Sequence, residues 1–476
     1  MKRSSAPADL LSKVIREQEV SQNSLIRSAG IDRSSYYQML SGKRLRTLEQ
    51  FTAILSQLKL SPELAQQLAA EYAKRKFGED FQLCEQIDRW MQKLSDVNQS
   101  PLDPEDIPGT DHESTEKILG KEYRSAEDAA RKLRQLICTE EESPEEADLC
   151  LYISLELFSF FWMQTDILKL LGTLAQTRRV RILVSVHQGD GSIGADTSRR
   201  GDSMEIRLAL LFSFLYGLVH VRHFADMVSL NYVRSGTQDT PYPYFVIASH
   251  QVCLFPAEGT GVIALKQKKV IARYRCFFDS LGSTSYEYLE NHDSLEDFMR
   301  SLYRRFAENS GMDRKNRMAQ HALCIFQVAD RDQITRYADA SLREFLLSYK
   351  EMFTQMQSVF LNFYSAVQEF LLDRRVMENG FTLVLDPEDV EKICRQAENP
   401  DRDDILLLTG GQDHLPGNWA FALFSSGELM ILPNWDCRWI ISIRSQELFH
   451  AFSVWFDVNR EMTLVLRKLR LLQDKP

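Results

Sequence analysis

Between Leu10 and Pro62 the apolar periodicity is repeatedly cut short by turn signals, and this spacing constrains the fold more than any other feature of the chain. Leu10, Leu11, Val14 and Ile15 make the inward stripe of a first helix that ends near Val20; Ser28-Ala29-Gly30-Ile31-Asp32 stops a second, Gly42 follows a third, and Pro62 opens another. Helices this short are marginal alone in water, because nucleation is unfavourable and most of their stability comes from packing an apolar face. They must therefore fold together as a compact all-α unit. Ser21 is placed to cap the second helix through its side-chain oxygen, and Asp32 to cap the third. Gly30 falls where the chain turns through a backbone conformation that penalises a Cβ. With Ile31, Tyr36, Met39 and Leu40 facing inward, Arg33, Ser34, Tyr37 and Gln38 point outward near the start of the third helix, within reach of base edges if that helix enters a groove.

The run Ser21-Gln22-Asn23-Ser24-Leu25-Ile26-Arg27-Ser28-Ala29-Gly30-Ile31-Asp32-Arg33-Ser34-Ser35-Tyr36-Tyr37-Gln38-Met39-Leu40-Ser41-Gly42-Lys43-Arg44 resembles the Cro/C1-type (XRE) helix-turn-helix family. The likeness continues without a gap through Thr47 to Leu55 and into Leu58-Lys59-Leu60-Ser61. It implies a bacterial, cytoplasmic transcriptional regulator that binds double-stranded DNA as a homodimer. In the family, the position matching Gln22 braces or contacts the DNA backbone, and those matching Arg33, Ser34 and Gln38 lie toward the major groove. Arg favours guanine and Gln adenine at such positions. Lys43, Arg44 and Arg46, in the loop after the third helix, are expected at phosphates, where they set affinity in a salt-dependent way.

A net charge of −10 looks wrong for a nucleic-acid binder until it is divided along the chain. Residues 1–76 carry 13 Lys and Arg against 7 Asp and Glu, a balance of +6, which leaves −16 for the remainder. Basic charge lies where a DNA contact needs it, and an acidic body is repelled from the duplex. The eight cysteines include no CxxC pair, so zinc ribbons and redox motifs are unsupported. Scattered thiols, no signal-peptide pattern and no apolar run of membrane-spanning length lead to the expectation of a cytoplasmic protein without a membrane partner.

The whole is expected to be multidomain: an all-α helix-turn-helix domain over residues 1–76, followed by a mixed α/β C-terminal region. Residues 77–125 read as a helix around Phe81 to Leu94 and then an acidic linker with Pro101, Pro104 and Pro108. Residues 126–290 form a first α/β module with a sensing role, 291–376 a helical region, and 377–476 a second α/β module. From Ile334 to Leu371, three- and four-residue spacings of Leu342, Phe345, Tyr349, Met352, Met356, Val359, Phe363, Ala366 and Phe370 predict one long amphipathic helix. Its broad aromatic stripe suits packing within a domain or a bundle-like dimer interface better than a coiled coil. Val252 to Pro256, Val262 to Leu265 and Lys269 to Asp279 are echoed by Leu429 to Pro433, Ile440 to Ile443 and Glu447 to Asp457. Each reads as two short strands feeding an amphipathic helix, which is either one module present twice, joined by the long helix, or a chance likeness of two generic patterns.

Other patterns weigh less. Gly189-Asp190-Gly191-Ser192-Ile193-Gly194 follows the strand-like Val180 to Val186, but no helix pattern begins at once after it, so a loop is the better reading than a dinucleotide fingerprint. His220 and His223 lack a visible third ligand, and no metal is expected. Phospholipase-D-type HxK, Walker A, GxSxG and HExxH motifs are missing, so neither a catalytic residue nor a cofactor is assigned and the chain is not read as an enzyme. The large C-terminal region leaves room for an effector, a small molecule or a protein. The alternative reading is an enzyme or defence effector that uses its N-terminal domain for autoregulation or targeting.

Overall fold

The computed structural model describes residues 10–41, 47–98, 123–141, 147–154, 178–187, 228–235, 241–256, 262–283, 286–287, 289–292, 294–309, 316–321, 323–355, 358–378, 381–399, 402, 404–408, 419–433 and 439–473, with single positions at 174, 204, 208, 211, 212 and 215. The N-terminal part is helical: α1 (Leu10–Glu17), α2 (Gln22–Ser28), α3 (Arg33–Leu40), α4 (Leu48–Leu55), α5 (Pro62–Phe77) and α6 (Phe81–Asn98). Caps explain several starts. The side chains of Asp32, Thr47 and Ser61 accept from the backbone amides of Ser35, Gln50 and Leu64, and Pro62 sits in the first turn of α5. Ser21 occupies the cap position of α2 but makes no side-chain cap bond, which corrects the expectation for that residue.

After α7 (Tyr123–Glu141) come β1 (Leu149–Ser154), β2 (Val180–His187), β3 (Val228–Ser235), β4 (Tyr244–Ile247), β5 (Val252–Phe255), β6 (Ile263–Leu265), α8 (Lys268–Gly282) and β7 (Tyr286–Glu287). These strands form one sheet, in the order β6-β5-β4-β1-β2-β3-β7. The chain continues with β8 (Leu289–Asn291), α9 (Leu295–Asn309), β9 (Asn316–Gln320), α10 (Ile325–Val328), α11 (Arg331–Tyr337), α12 (Ala340–Gln355), β10 (Ser358–Phe363) and α13 (Tyr364–Asp373). A two-stranded pair, β11 (Arg375–Glu378) and β12 (Phe381–Val384), precedes α14 (Pro387–Ala397), β13 (Ile405–Leu408), β14 (Trp419–Leu423), β15 (Leu429–Pro433), β16 (Trp439–Ile443) and α15 (Gln446–Gln473). The second sheet runs β13-β10-β9-β14-β15-β16-β8.

The two sheets share a wiring. In the first, β1, β2 and β3 are parallel neighbours while β4, β5 and β6 continue antiparallel from the other side of β1. In the second, β9, β10 and β13 are the parallel set and β14, β15 and β16 the antiparallel continuation. Each ends in a helix, α8 or α15. The segment between them lends β7 to β3 of the first sheet and β8 to β16 of the second, so it closes one edge of each.

The single long helix expected over Ile334–Leu371 is not formed, and the span 291–376 is not purely helical. It breaks into α11, α12, β10 and α13, and it supplies β9 and β10 at the heart of the second sheet. All six residues of β10 are buried. A parallel strand covered on both faces is a near-continuous apolar run, so Val359, Phe360, Leu361 and Phe363 fit a helical stripe as readily as a strand.

Alternation along the second sheet sends Ala319, Phe421, Ile431 and Ile441 to one face and Met318, Ala420, Met430 and Ile440 to the other. The second face is covered by α9, α12, α13 and α14 through residues such as Phe306, Tyr349, Val367 and Ile393. The first is covered by α15, whose Phe452 ring stacks on Phe421 of β14. The outer side of α15 carries the N-terminal helices: Lys76 pairs with Glu461 at 2.6 Å, Lys468 with Glu49 at 2.7 Å, and Trp455 Nε1 donates to Asp88 Oδ1 at 2.7 Å. A file of rings crosses this joint, from Trp90 of α6 to Phe212 (5.9 Å), to Phe452 of α15 (6.4 Å), to Phe421 of β14 (5.6 Å). Stacked pairs of this kind each add about 0.5–1.5 kcal/mol beyond the area they bury.

Candidate nucleic-acid interface

The turn between α2 and α3 is closed by two backbone bonds, from Gly30 N to Arg27 O (3.1 Å) and from Ile31 N to Ile26 O (3.2 Å). This is the paired bonding of a Schellman cap, and Gly30 takes the left-handed conformation it needs, with φ +60°. Ile26 and Ile31, which flank the turn, are half-buried against the core. Asp32 then starts α3 by accepting from Ser35 N at 2.8 Å. Hydrogen bonds from Ser35 hold the Asp32 carboxyl below its ordinary range.

One side of α3 is locked inside. Tyr36 is fully buried and Met39 nearly so, among Leu11, Leu25, Ile54 and Leu55. Burial pushes the Tyr36 phenol upward, and among the described residues its hydroxyl has no hydrogen-bond partner. On the other side Arg33, Ser34, Tyr37 and Gln38 are exposed, as the sequence pattern predicts, and Tyr37 is 52% exposed despite its apolar ring. Gln22 is exposed at the start of α2 and is brought to the same surface: Tyr37 Oη donates to Gln22 Oε1 at 2.9 Å. Arg33 Nη2 donates to Asn23 Oδ1 at 3.3 Å. Asn23 is a member of this surface that periodicity did not single out, since its role comes from the approach of α2 to α3. Lys43, Arg44 and Arg46 lie outside the described residues, as do the glycine-rich run after β2 and the pair His220 and His223.

The arrangement is a polar surface of six side chains on two short helices. Arg33 offers a planar donor fork, and Gln22 and Gln38 offer paired donors and acceptors, which are the groups that read base edges and hold phosphates.

The α/β body has its own polar point. At the carboxyl end of β9, His321 Nε2 lies 3.3 Å from Glu369 Oε2, and its ring stacks on Phe363 at the end of β10. Open α/β sheets bind ligands at this end of their parallel strands. Among the described residues no three His, Cys, Asp or Glu side chains converge to hold a metal, and no helix is long and apolar enough to cross a membrane. No protein-family model, curated protein or solved structure matches this chain.

Proposed function

We propose that the chain is a sequence-specific DNA-binding transcriptional regulator of the helix-turn-helix type, with α3 as its recognition helix. The observation that carries this is the exposed set Arg33, Ser34, Tyr37 and Gln38 on a helix whose opposite side is buried, within a segment whose charge is +6. In this reading Arg33 and Gln38 read bases, Gln22 and Tyr37 brace one another at the backbone, and Lys43, Arg44 and Arg46 neutralise phosphates. The acidic body is read as two copies of one α/β module; the shared wiring of the sheets supports the duplication and leaves the carboxyl ends of the parallel strands as the place for an effector. Regulators of this type bind half-sites about one helical turn apart as dimers, so a cytoplasmic homodimer is the working form.

The test is selection of bound sequences from random duplexes by the full chain at moderate salt. An enriched motif is expected, and Arg33→Ala should lower affinity for it more than for random duplex. Absence of any preferred sequence, or equal losses on both duplexes, would overturn the reading.

A further inference from the structure

The shared wiring of the two sheets exposes one edge that is filled in the second and, among the described residues, open in the first. In the second sheet an apolar row crosses the strands on the α15 face: Ala319, Phe421, Ile431, Ile441 and finally Leu289 of β8, each directly opposite the next. Leu289 seals the row, and Ile441 is fully buried beneath it. In the first sheet the corresponding row is Tyr152, Phe245, Leu254 and Ile263. There it stops, because among the described residues no strand lies beyond β6. Ile263, which holds the place of Ile441 in both the pairing and the sequence echo, is 39% exposed. Phe277 of α8 overhangs the same row, 5.9 Å from the Phe245 ring, and is also exposed.

An open strand edge offers a row of backbone donors and acceptors to any extended chain that fits. The surroundings specify which chain. Lys266, Lys268, Lys269 and Arg273 follow β6 directly and are all exposed. They disfavour a second copy of the same edge, which would bring like charges together, and they favour an acidic segment. The chain contains an example of the required occupant: β8, which fills the equivalent edge, sets Leu289 next to Glu290, and Glu287 of β7 stands two residues before it. The geometry points to β6 as a docking site for an extended, acidic segment of a partner protein, which adds antiparallel as an eighth strand with an apolar residue over Ile263. Main-chain bonds to β6 supply affinity; Ile263, Phe277 and the lysines supply selectivity.

The probe is a labelled synthetic peptide with the sequence of residues 284–293 preceded by three aspartates, titrated against the full chain by fluorescence anisotropy. Saturable binding is expected, weakened about tenfold or more by Ile263→Asp and by a proline in the peptide at the leucine position. Reversing the three lysines (Lys266→Glu, Lys268→Glu, Lys269→Glu) should abolish binding of the acidic peptide and create binding of a version with its acidic residues changed to lysine, a gain that misfolding does not produce. Arg33→Ala should leave peptide binding unchanged, which keeps this test separate from the DNA reading. The inference is overturned if wild-type chain fails to bind the peptide, or if Ile263→Asp leaves the affinity unaltered. It is equally overturned if light scattering shows a dimer that Ile263→Asp dissolves, or if the lysine reversal weakens duplex DNA binding and not peptide binding.

Discussion

Replacing Gly30 with alanine isolates the conformational requirement of the turn that sets α3 against α2. A Cβ built on Gly30 meets no atom within 4 Å, so the change introduces no clash. What remains is the backbone conformation: φ is +60°, where an L-residue with a Cβ is disfavoured by about 1–2 kcal/mol. The alanine also stiffens the unfolded chain, but at a positive φ that gain is smaller than the strain. A net loss of about 1 kcal/mol corresponds to roughly a fivefold rise in the opening equilibrium of α2 and α3. Hydrogen exchange read by mass spectrometry on fragments covering residues 25–41 should show that rise, with β14 and β15 unchanged. Gly30→Asn should restore most of the protection, because asparagine tolerates the left-handed region. Unaltered exchange in Gly30→Ala, or a loss shared equally with the second sheet, would refute this account of the turn.

On the proposed DNA reading, Lys43→Ala with Arg44→Ala should lower the slope of log affinity for duplex against log salt by about 2, at about 0.9 for each phosphate contact removed, read by titration between low and moderate salt. Glu140, buried beside Arg178 (2.9 Å) and accepting from Ser249 N and Oγ, should destabilise the first sheet by about 3–5 kcal/mol when changed to alanine, read by urea unfolding. The hydrogen bond from Lys468 holds the Glu49 carboxyl down from 4.5 to about 2. A depressed folded-state value adds stability above the ordinary carboxylate range and loses it as pH falls toward about 2, so the difference between wild type and Glu49→Gln should shrink across that acid window. Because the Glu49 side chain is 70% exposed, the difference at neutral pH should stay below about 1 kcal/mol in thermal unfolding.

The sequence made the N-terminal helices legible because short amphipathic segments with polar turns admit few packings. The inward set Tyr36 and Met39, the cap at Asp32 and the left-handed Gly30 are all where the periodicity predicts them. The echo between residues 252–279 and 429–457 likewise coincides with matching strands and helices. The central strands were opaque for two opposite reasons. β10 is apolar throughout most of its length and mimics a helix, whereas β9 reads Asn316-Arg317-Met318-Ala319-Gln320 and shows almost no apolar signal. Its polar start survives burial because partners outside the strand meet the Asn316 side chain: Oδ1 accepts from Ser425 N at 3.0 Å, and Nδ2 donates to Asn309 O at 3.5 Å. Nor could periodicity show that α6, followed in sequence by the acidic stretch, belongs against α15; that pairing rests on Trp455 with Asp88 and on Asn459 with Cys84.

The seat of the N-terminal helices on α15 has a consequence for biogenesis. α6 leaves the ribosome about 350 residues before α15, an interval of roughly 20–70 s at about 5–20 residues per second. Throughout that time Cys84 and Asp88 lack their α15 partners Asn459 and Trp455, so the side of α6 that packs on α15 stays open to chaperones and proteases until α15 emerges. Chains broken off before residue 446 would carry the N-terminal helices with the side that packs on α15 uncovered, a form open to proteases.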